Sequence, residues 1–406
     1  MNETDSNERF DVCVVGGAGH VGLPLALVFA NHGLRSLIYD LNTEVMERVK
    51  GGEVPFMEDG GEDHLRSALD SGNLFFTNDA SKVGSASTLI ITIGTPVDEF
   101  LNPVYEAMSK CIDAFVPYLS DEQLIVLRST VPPGVTDWLH RYLREKGVAA
   151  KLAFCPERVV QGKAIAEIQS LPQIVSGTTP EAEDAAAGLF EGLGAKIVRM
   201  KPMEAEFAKL FCNAYRYINF AITNQFYMMV ESAGMDYDRV LQGMKQDYDR
   251  MSGLPSAGLA AGPCLFKDTL QLCSFYENQF SLGFDAVMVN EGLPLFMVRN
   301  IEKEHDLLES TVGLLGMAFK PNSDDMRSSL SYKLKKILYP RAKRVICTDP
   351  HVTTDASLLS LEETIEQSDI LILCVPHAAY RELDLQGKPC VDIWNFFPKS
   401  DAVAES

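Results

Sequence analysis

Short, mostly apolar runs recur along the first half of the chain, at Phe10–Val15, Ser36–Tyr39, Thr88–Ile93, Gln123–Leu127, Lys151–Phe154, Pro172–Ser176 and Ala195–Val198. None alternates cleanly between apolar and polar, which is the pattern of strands covered on both faces of a parallel sheet. Helical text separates them, such as Leu23 to His32, and Thr179-Pro180 reads as an N-cap followed by a first helical residue. Strand signals stop at Met203. Phe207, Leu210, Phe211, Ala214, Ile218, Ala221 and Gln225 then fall at helical spacing and predict one long helix ending near Gly234. A second side of that helix carries Lys209, Asn213, Tyr217, Phe220 and Asn224, which is no plain solvated face. Two such sides predict a second packing partner, the same helix of another subunit. Helical text continues to about Glu309, and the strand–helix rhythm returns at Thr311–Leu315, Arg344–Thr348, Ile370–Cys374 and Pro389–Asp392. The expected class is α/β, with two Rossmann-like doubly wound domains joined by a long central helical segment. The expected boundaries are 1–200, 201–309 and 310–406.

Composition narrows the partners. A chain of 406 residues suits two or three domains, and 46% hydrophobic content is enough to build their cores. With 36 basic and 56 acidic residues the net charge is -20, which argues against binding nucleic acid or anionic lipid but leaves room for a local basic pocket. The nine cysteines show no paired metal spacing, so no metal is expected; Cys13, Cys347 and Cys374 sit in apolar runs, as buried thiols do in a reducing compartment. No apolar run approaches the roughly 18 residues of a membrane span, and no signal-peptide pattern is present. Met1 to Arg9 is a short polar tail, and a cytoplasmic, soluble protein is expected.

Chemistry concentrates at five places. Gly17-Ala-Gly19-His20-Val21-Gly22 follows the first strand and opens a helix, and Asp40 ends the next strand 18 residues later. This is the dinucleotide arrangement: Gly17 for the turn, Gly19 for the pyrophosphate, Gly22 for close packing, and Asp40 for the ribose hydroxyls, which favours NAD over NADP. Thr95, Thr130 and Glu157 each sit just after a strand, where such sheets bind ligands or where turns simply need capping. Lys209 and Asn213 share one side of the long helix. The Gly258–Leu270 stretch delivers Cys264 at the start of a helix, with Lys267 and Asp268 one turn on. It reads either as a small buried thiol or as a nucleophile with nearby positive charge and an acid–base group. Lys320 and Arg327 flank a turn in the last domain and would suit a diphosphate. That domain lacks a three-glycine fingerprint, so a second dinucleotide is not expected there.

Together these stretches resemble the UDP-glucose/GDP-mannose dehydrogenase family. The resemblance rests on Gly17-Ala-Gly-His-Val-Gly-Leu-Pro24, Ser129-Thr-Val-Pro-Pro-Gly134, Cys155-Pro-Glu-Arg158 with Gly162, Glu204 through Lys209 to Asn213, Gly262-Pro-Cys264 through Asp268, and Gly316 through Lys320 to Arg327. It implies a four-electron oxidation of the C6 alcohol of a UDP-sugar, two NAD per sugar, with Cys264 as nucleophile passing through a thiohemiacetal and a thioester. Asp268 or Glu157 would serve as base, Thr130 would hold a water, and Lys209 with Asn213 would stabilise the oxyanion. NAD contacts are implied for Gly17, Gly19, His20, Val21, Gly22, Asp40, Thr95, Thr130, Lys267 and Arg327. UDP-sugar contacts are implied for Glu157, Arg158, Val159, Lys209, Asn213, Gly258, Phe319 and Lys320. The wording Cys-Pro-Glu-Arg leans toward the UDP-N-acetylhexosamine branch, and the family implies a homodimer through the central helix and a role in polysaccharide biosynthesis. Departures are Ala261-Gly262-Pro263 before the cysteine, Leu265-Phe266 after it, and His20 where tyrosine is common. Alternative readings are a UDP-glucose 6-dehydrogenase, a two-electron hydroxyacid-type dehydrogenase, and a non-catalytic sugar-nucleotide sensor.

Overall fold

Strand β1 (Phe10–Val15) divides its side chains between two cores: Val12 and Val14 enter one, Cys13 and Val15 the other. Successive strand residues point to opposite faces, so a run apolar at every position is one covered on both sides. The structure is a computed structural model and describes residues 9–94, 98, 104–259 and 262–398; Thr95 lies outside the described residues. β1 belongs to an eight-stranded sheet with β2 (Ser36–Tyr39), β3 (Leu74–Thr77), β4 (Ala86–Ile91), β5 (Leu124–Leu127), β6 (Lys151–Phe154), β7 (Gln173–Gly177) and β8 (Ile197–Arg199). The order is β3-β2-β1-β4-β5-β6-β7-β8, so the winding reverses between β1 and β4. All neighbours pair in parallel except β6 and β7, which are antiparallel. Strand direction was not legible in the sequence, because a short apolar run reads the same either way. β3 was passed over as well: of its four residues only Leu74 is fully buried.

Thr179 caps the helix Pro180–Glu191 as the sequence predicts, its hydroxyl accepting from the Ala182 N–H at 3.2 Å. The long helix runs Pro202–Ser232, 31 residues and about 46 Å at 1.5 Å per residue. The chain divides into two compact units inside this helix, Met1–Cys212 and Asn213–Ser406.

In the second unit, β9 (Thr311–Leu315), β10 (Arg344–Thr348), β11 (Ile370–Leu373) and β12 (Cys390–Val391) form a parallel sheet in the order β10-β9-β11-β12. One face packs on helical residues: Tyr227, Leu293 and Met297 share a core with Val312, Leu314 and Ile372. The other face buries Leu315, Leu371 and Leu373 with Tyr380. The helices Tyr237–Lys245, Pro263–Phe275 and Ser281–Glu304 belong to this unit's helical part. Thus the expected α/β class holds, with a Rossmann-type first domain, a central helical region and a smaller α/β domain. Among the described residues no helix is long and apolar enough to cross a membrane.

Candidate active site

In the first unit the nucleotide loop follows β1. The left-handed residue of its turn is Gly16, at φ +76, one position before the glycine assigned to the turn from the sequence. Gly17 is required for space instead, since a Cβ there would lie 2.6 Å from the Val14 carbonyl oxygen and 2.9 Å from Ile38. A Cβ on Gly22 would run into the Gly16 carbonyl. At Gly19 a Cβ would meet only the Gly16 oxygen, at 3.4 Å, so its outer side is open. Val21 makes no side-chain cap on the helix Gly22–Asn31, which leaves that end suited to an anion. The Asp40 carboxylate accepts from Ala18 N–H and Asn42 N–H, both at 3.0 Å, and stays half-buried. Two contacts leave a carboxylate with lone pairs for ribose hydroxyls. His20 stacks on Phe56 with ring centroids 4.2 Å apart.

Thr130 is half-buried just beyond β5. Glu157, beyond β6, is fully engaged within the unit. Its Oε2 accepts from Arg128 Nε at 2.9 Å and lies 2.6 Å from Arg128 Nη2. Its Oε1 accepts from the backbone N–H groups of Arg158, at 2.7 Å, and Val159, at 3.0 Å. Arg128 itself has no exposed surface, donates to the Cys155 carbonyl and to Gln173, and lies 4.9 Å from the Phe190 ring centre. Such a pair, with both carboxylate oxygens occupied, holds the side chain fixed. It orders the Arg158–Val159 backbone and suits proton transfer poorly. Lys209 is buried on the long helix, one turn before Asn213.

In the second unit Pro263 opens the cysteine helix, Cys264 is the next residue, and Gly262 precedes it with φ +122. A Cβ on Gly262 would come within 2.8 Å of the Phe319 ring. The first turn of this helix has no side-chain cap, and Cys264 is exposed there. Asp268 lies one turn further on the same face and is wholly buried. Asn213 Nδ2 donates to Asp268 Oδ2 at 2.6 Å, and Lys267 Nζ lies 3.9 Å from Oδ1. Arg327 is gripped by Asp325, with Nε to Oδ1 at 2.9 Å and Nη2 to Oδ2 at 2.6 Å. Its pKa is raised by those hydrogen bonds first, against an opposing effect of burial, and then by the charges of Asp325 and Cys264. An exposed thiol at the uncapped start of a helix is in a setting that favours a thiolate. Two other cysteines do not share it: burial pushes the Cys155 thiol up to about 12 and the Cys273 thiol up to about 11.

The loop after β9 carries Phe319 and Lys320, with Lys320 Nζ 5.8 Å from the Phe319 ring centre. Asp349, just past β10, fastens this loop. Its Oδ2 accepts from Met317 N–H at 2.6 Å and Ala318 N–H at 2.9 Å, and its Oδ1 from His351 and Val352 N–H at 2.8 and 3.0 Å. His377 Nε2 reaches Oδ2 at 3.1 Å, while its Nδ1 lies 3.0 Å from the Asn322 backbone nitrogen. Because Asn322 N–H must donate, the ring proton belongs on Nε2. Burial alone would raise the Asp349 pKa, but the His377 hydrogen bond and the backbone N–H groups hold it well below the usual carboxylate range.

Three family models match in order along the chain: the NAD binding domain of the UDP-glucose/GDP-mannose dehydrogenase family at residues 10–193, its central domain at 203–291, and its UDP binding domain at 313–399. The chain belongs to this family. It is an NAD-dependent UDP-sugar dehydrogenase. It is 27% identical over 383 residues to a UDP-N-acetyl-D-mannosamine dehydrogenase of Pyrococcus horikoshii, covering 91% of this chain and 90% of that one. The solved UDP-D-ManNAc dehydrogenase from the same organism matches with TM-score 0.86 at 26% identity, over 95% of this chain and 93% of that one. A UDP-glucose dehydrogenase from Pyrobaculum islandicum matches with TM-score 0.87 at 26% identity, over 98% of both chains.

For a member of this family the cofactor is NAD, and the loop after β1 fits it. The open side of Gly19, the uncapped helix start and the half-free Asp40 carboxylate are the features a pyrophosphate and ribose require. The sequence reading missed Arg128 as the partner of Glu157, and the Asp349–His377–Asn322 lock. The second had a signal, because Asp349 follows its strand as Asp40 follows β2.

Proposed function

We propose that this dehydrogenase oxidises the C6 alcohol of a UDP-N-acetylhexosamine, in the first place UDP-N-acetylmannosamine, to the uronic acid in four electrons through Cys264. The observation that carries this reading is the buried Asn213–Asp268 hydrogen bond of 2.6 Å, with exposed Cys264 one turn before Asp268 on the same helix. Bound NAD supplies the hydride acceptor, one for each of the two oxidations. Asp268 takes the C6 hydroxyl proton through a water held by Thr130 as the alcohol becomes an aldehyde. The Cys264 sulfur then adds to the aldehyde carbon, and the oxygen gains a proton to give the thiohemiacetal. Loss of a second hydride and that proton leaves a thioester on Cys264. Water adds, the C–S bond breaks, and carboxylic acid and free thiol result. In sum, alcohol, two NAD and one water give acid, two NADH and two protons.

Asp268 fits the base better than Glu157, whose oxygens are both occupied by Arg128 and backbone N–H groups. Lys209 and the second N–H of Asn213 stabilise the developing oxyanion. Glu157 instead shapes the Arg158–Val159 backbone for the sugar, while Phe319 and Lys320 grip the diphosphate with Gly258 nearby in the same role; Lys267 and Arg327 complete the charge for the cofactor. The regions 1–200, 201–309 and 310–406 take the roles of cofactor domain, dimerisation and cysteine domain, and UDP-sugar domain. A homodimer through the long helix is supported by an apolar stripe left exposed there: Phe211, Tyr215, Ile222, Phe226 and Met229. Nine free cysteines, most of them buried, suit a reducing cytoplasm, where the product would serve polysaccharide biosynthesis.

The sugar is tested by NADH production from UDP-N-acetylmannosamine, UDP-N-acetylglucosamine, UDP-glucose and GDP-mannose. The highest kcat/KM is expected with UDP-N-acetylmannosamine. A preference for UDP-glucose would overturn the N-acetyl assignment and leave the family intact.

A further inference from the structure

Two asparagines without exposed surface, Asn224 and Asn290, lie among the helices of the second unit, and neither is among the residues assigned to the reaction. Asn224 treats Gly258 as a strand neighbour would. Its Nδ2 donates to the Gly258 carbonyl at 3.1 Å, and its Oδ1 accepts from the Gly258 N–H at 2.9 Å. The second N–H of Asn224 goes to Asn290 Oδ1 at 2.9 Å, and Asn290 Nδ2 donates to the Tyr217 carbonyl at 3.1 Å. Asn290 therefore decides which way the Asn224 amide faces, and the amide holds both polar groups of one loop residue. A buried carboxamide is unfavourable unless satisfied, and a fully satisfied one specifies a single arrangement.

Gly258 lies six residues before Cys264, with 260–261 between them outside the described residues. Its other side is closed by Trp394, whose ring a Cβ on Gly258 would overlap, and Gly262 at the far end lies against Phe319. Asn224 is eleven residues beyond Asn213, three turns along the same helix, and falls on the same stripe through Tyr217. One rigid helix thus holds Asp268 by Asn213 and the start of the cysteine loop by Asn224.

We propose that Asn224, oriented by Asn290, is a positioning residue that sets the register of the Cys264 loop against Asp268, so that the sulfur captures the half-oxidised sugar before it leaves. The inference rests on the thiol-capture reading above. Its loss acts on capture rather than on the first hydride transfer, which does not use the sulfur.

The test follows NADH formed and aldehyde trapped by a hydrazine reagent, for wild type, Asn224→Ala and Cys264→Ser with the same UDP-sugar. Asn224→Ala is expected to lower kcat for acid formation by about 100-fold, the effect of a misplacement of about 1 Å. Its NADH per sugar should fall from two toward one as aldehyde appears, with the KM for NAD within about threefold of wild type. A purely structural defect slows both oxidations together, so a ratio held at two with no trapped aldehyde overturns the proposal. If the alanine variant does not fold, Asn224→Asp, of the same size but without the two donated hydrogen bonds, carries the same expectation and the same overturning result. Cys264→Ser separates the two claims: should it still form two NADH at the wild-type rate, thiol capture itself fails, whatever Asn224 does.

Discussion

The surroundings of Cys264 were legible because they are local: a glycine–proline lead, a helix start, and a carboxylate one turn on can all be read from spacing. Glu157 was legible only as a residue after a strand. Its partner Arg128 ends a different strand, and nothing in spacing reveals that the two meet in a buried pair. In the proposed mechanism that pair is the reason proton transfer is given to Asp268 and not to Glu157. The glycines separate in the same way. Gly16 supplies the left-handed turn, Gly17 and Gly22 are bound by steric contact, and Gly19 alone faces open space. Gly19→Ala is therefore expected to fold normally, with Tm within about 2 °C of wild type, while raising the KM for NAD about tenfold or more by blocking the pyrophosphate's approach. Steady-state kinetics at saturating UDP-sugar check it. An unchanged KM would mean that the cofactor does not lie against Gly19.

At the scale of elements, the two α/β parts use one device for different ends. In each, an aspartate after the second strand accepts N–H groups from the loop after the first: Ala18 for Asp40, Met317 and Ala318 for Asp349. Asp40 keeps acceptor capacity in a half-buried position, whereas Asp349 is saturated by four backbone N–H groups and His377. A carboxylate so occupied is not available to a ribose. The absence of a second glycine fingerprint could be read from the sequence, but the His377–Asn322 bond that fixes the Phe319–Asn322 loop spans 55 positions and could not. His377→Ala removes that bond and is expected to raise the KM for UDP-sugar about tenfold, as loss of about 1.4 kcal/mol of loop ordering would. The KM for NAD should not move. Equal effects on both constants would show that His377 supports the fold at large instead. Apart from β3, which the sequence did not reveal, strand positions were foreseen to within two residues, while the antiparallel β6–β7 pair was not, since direction depends on how the connection returns.

At the scale of the whole molecule, the long helix leaves large apolar side chains in solvent at Phe211, Tyr215 and Met229, which are 55%, 68% and 61% exposed. A soluble surface rarely keeps such a stripe uncovered. The sequence showed two sides of the helix unlike a solvated face, and both prove buried, one at Leu210, Ala214 and Ala221 and the other at Lys209, Asn213, Tyr217 and Asn224. The open stripe lies beside them and, apart from Phe211, was not singled out from the sequence. Light scattering is expected to give twice the 44.8 kDa chain mass, and Tyr215→Lys to shift it to a single chain. A wild-type protein already at the single-chain mass would dismiss the dimer. In the proposed reaction one chain carries its sugar through alcohol, aldehyde and acid while Cys264 retains the intermediate. The most direct measurement is NADH formed per UDP-sugar consumed at completion, with the sugar limiting. Two NADH and a uronic acid are predicted; one NADH with a free aldehyde or ketone would contradict the account.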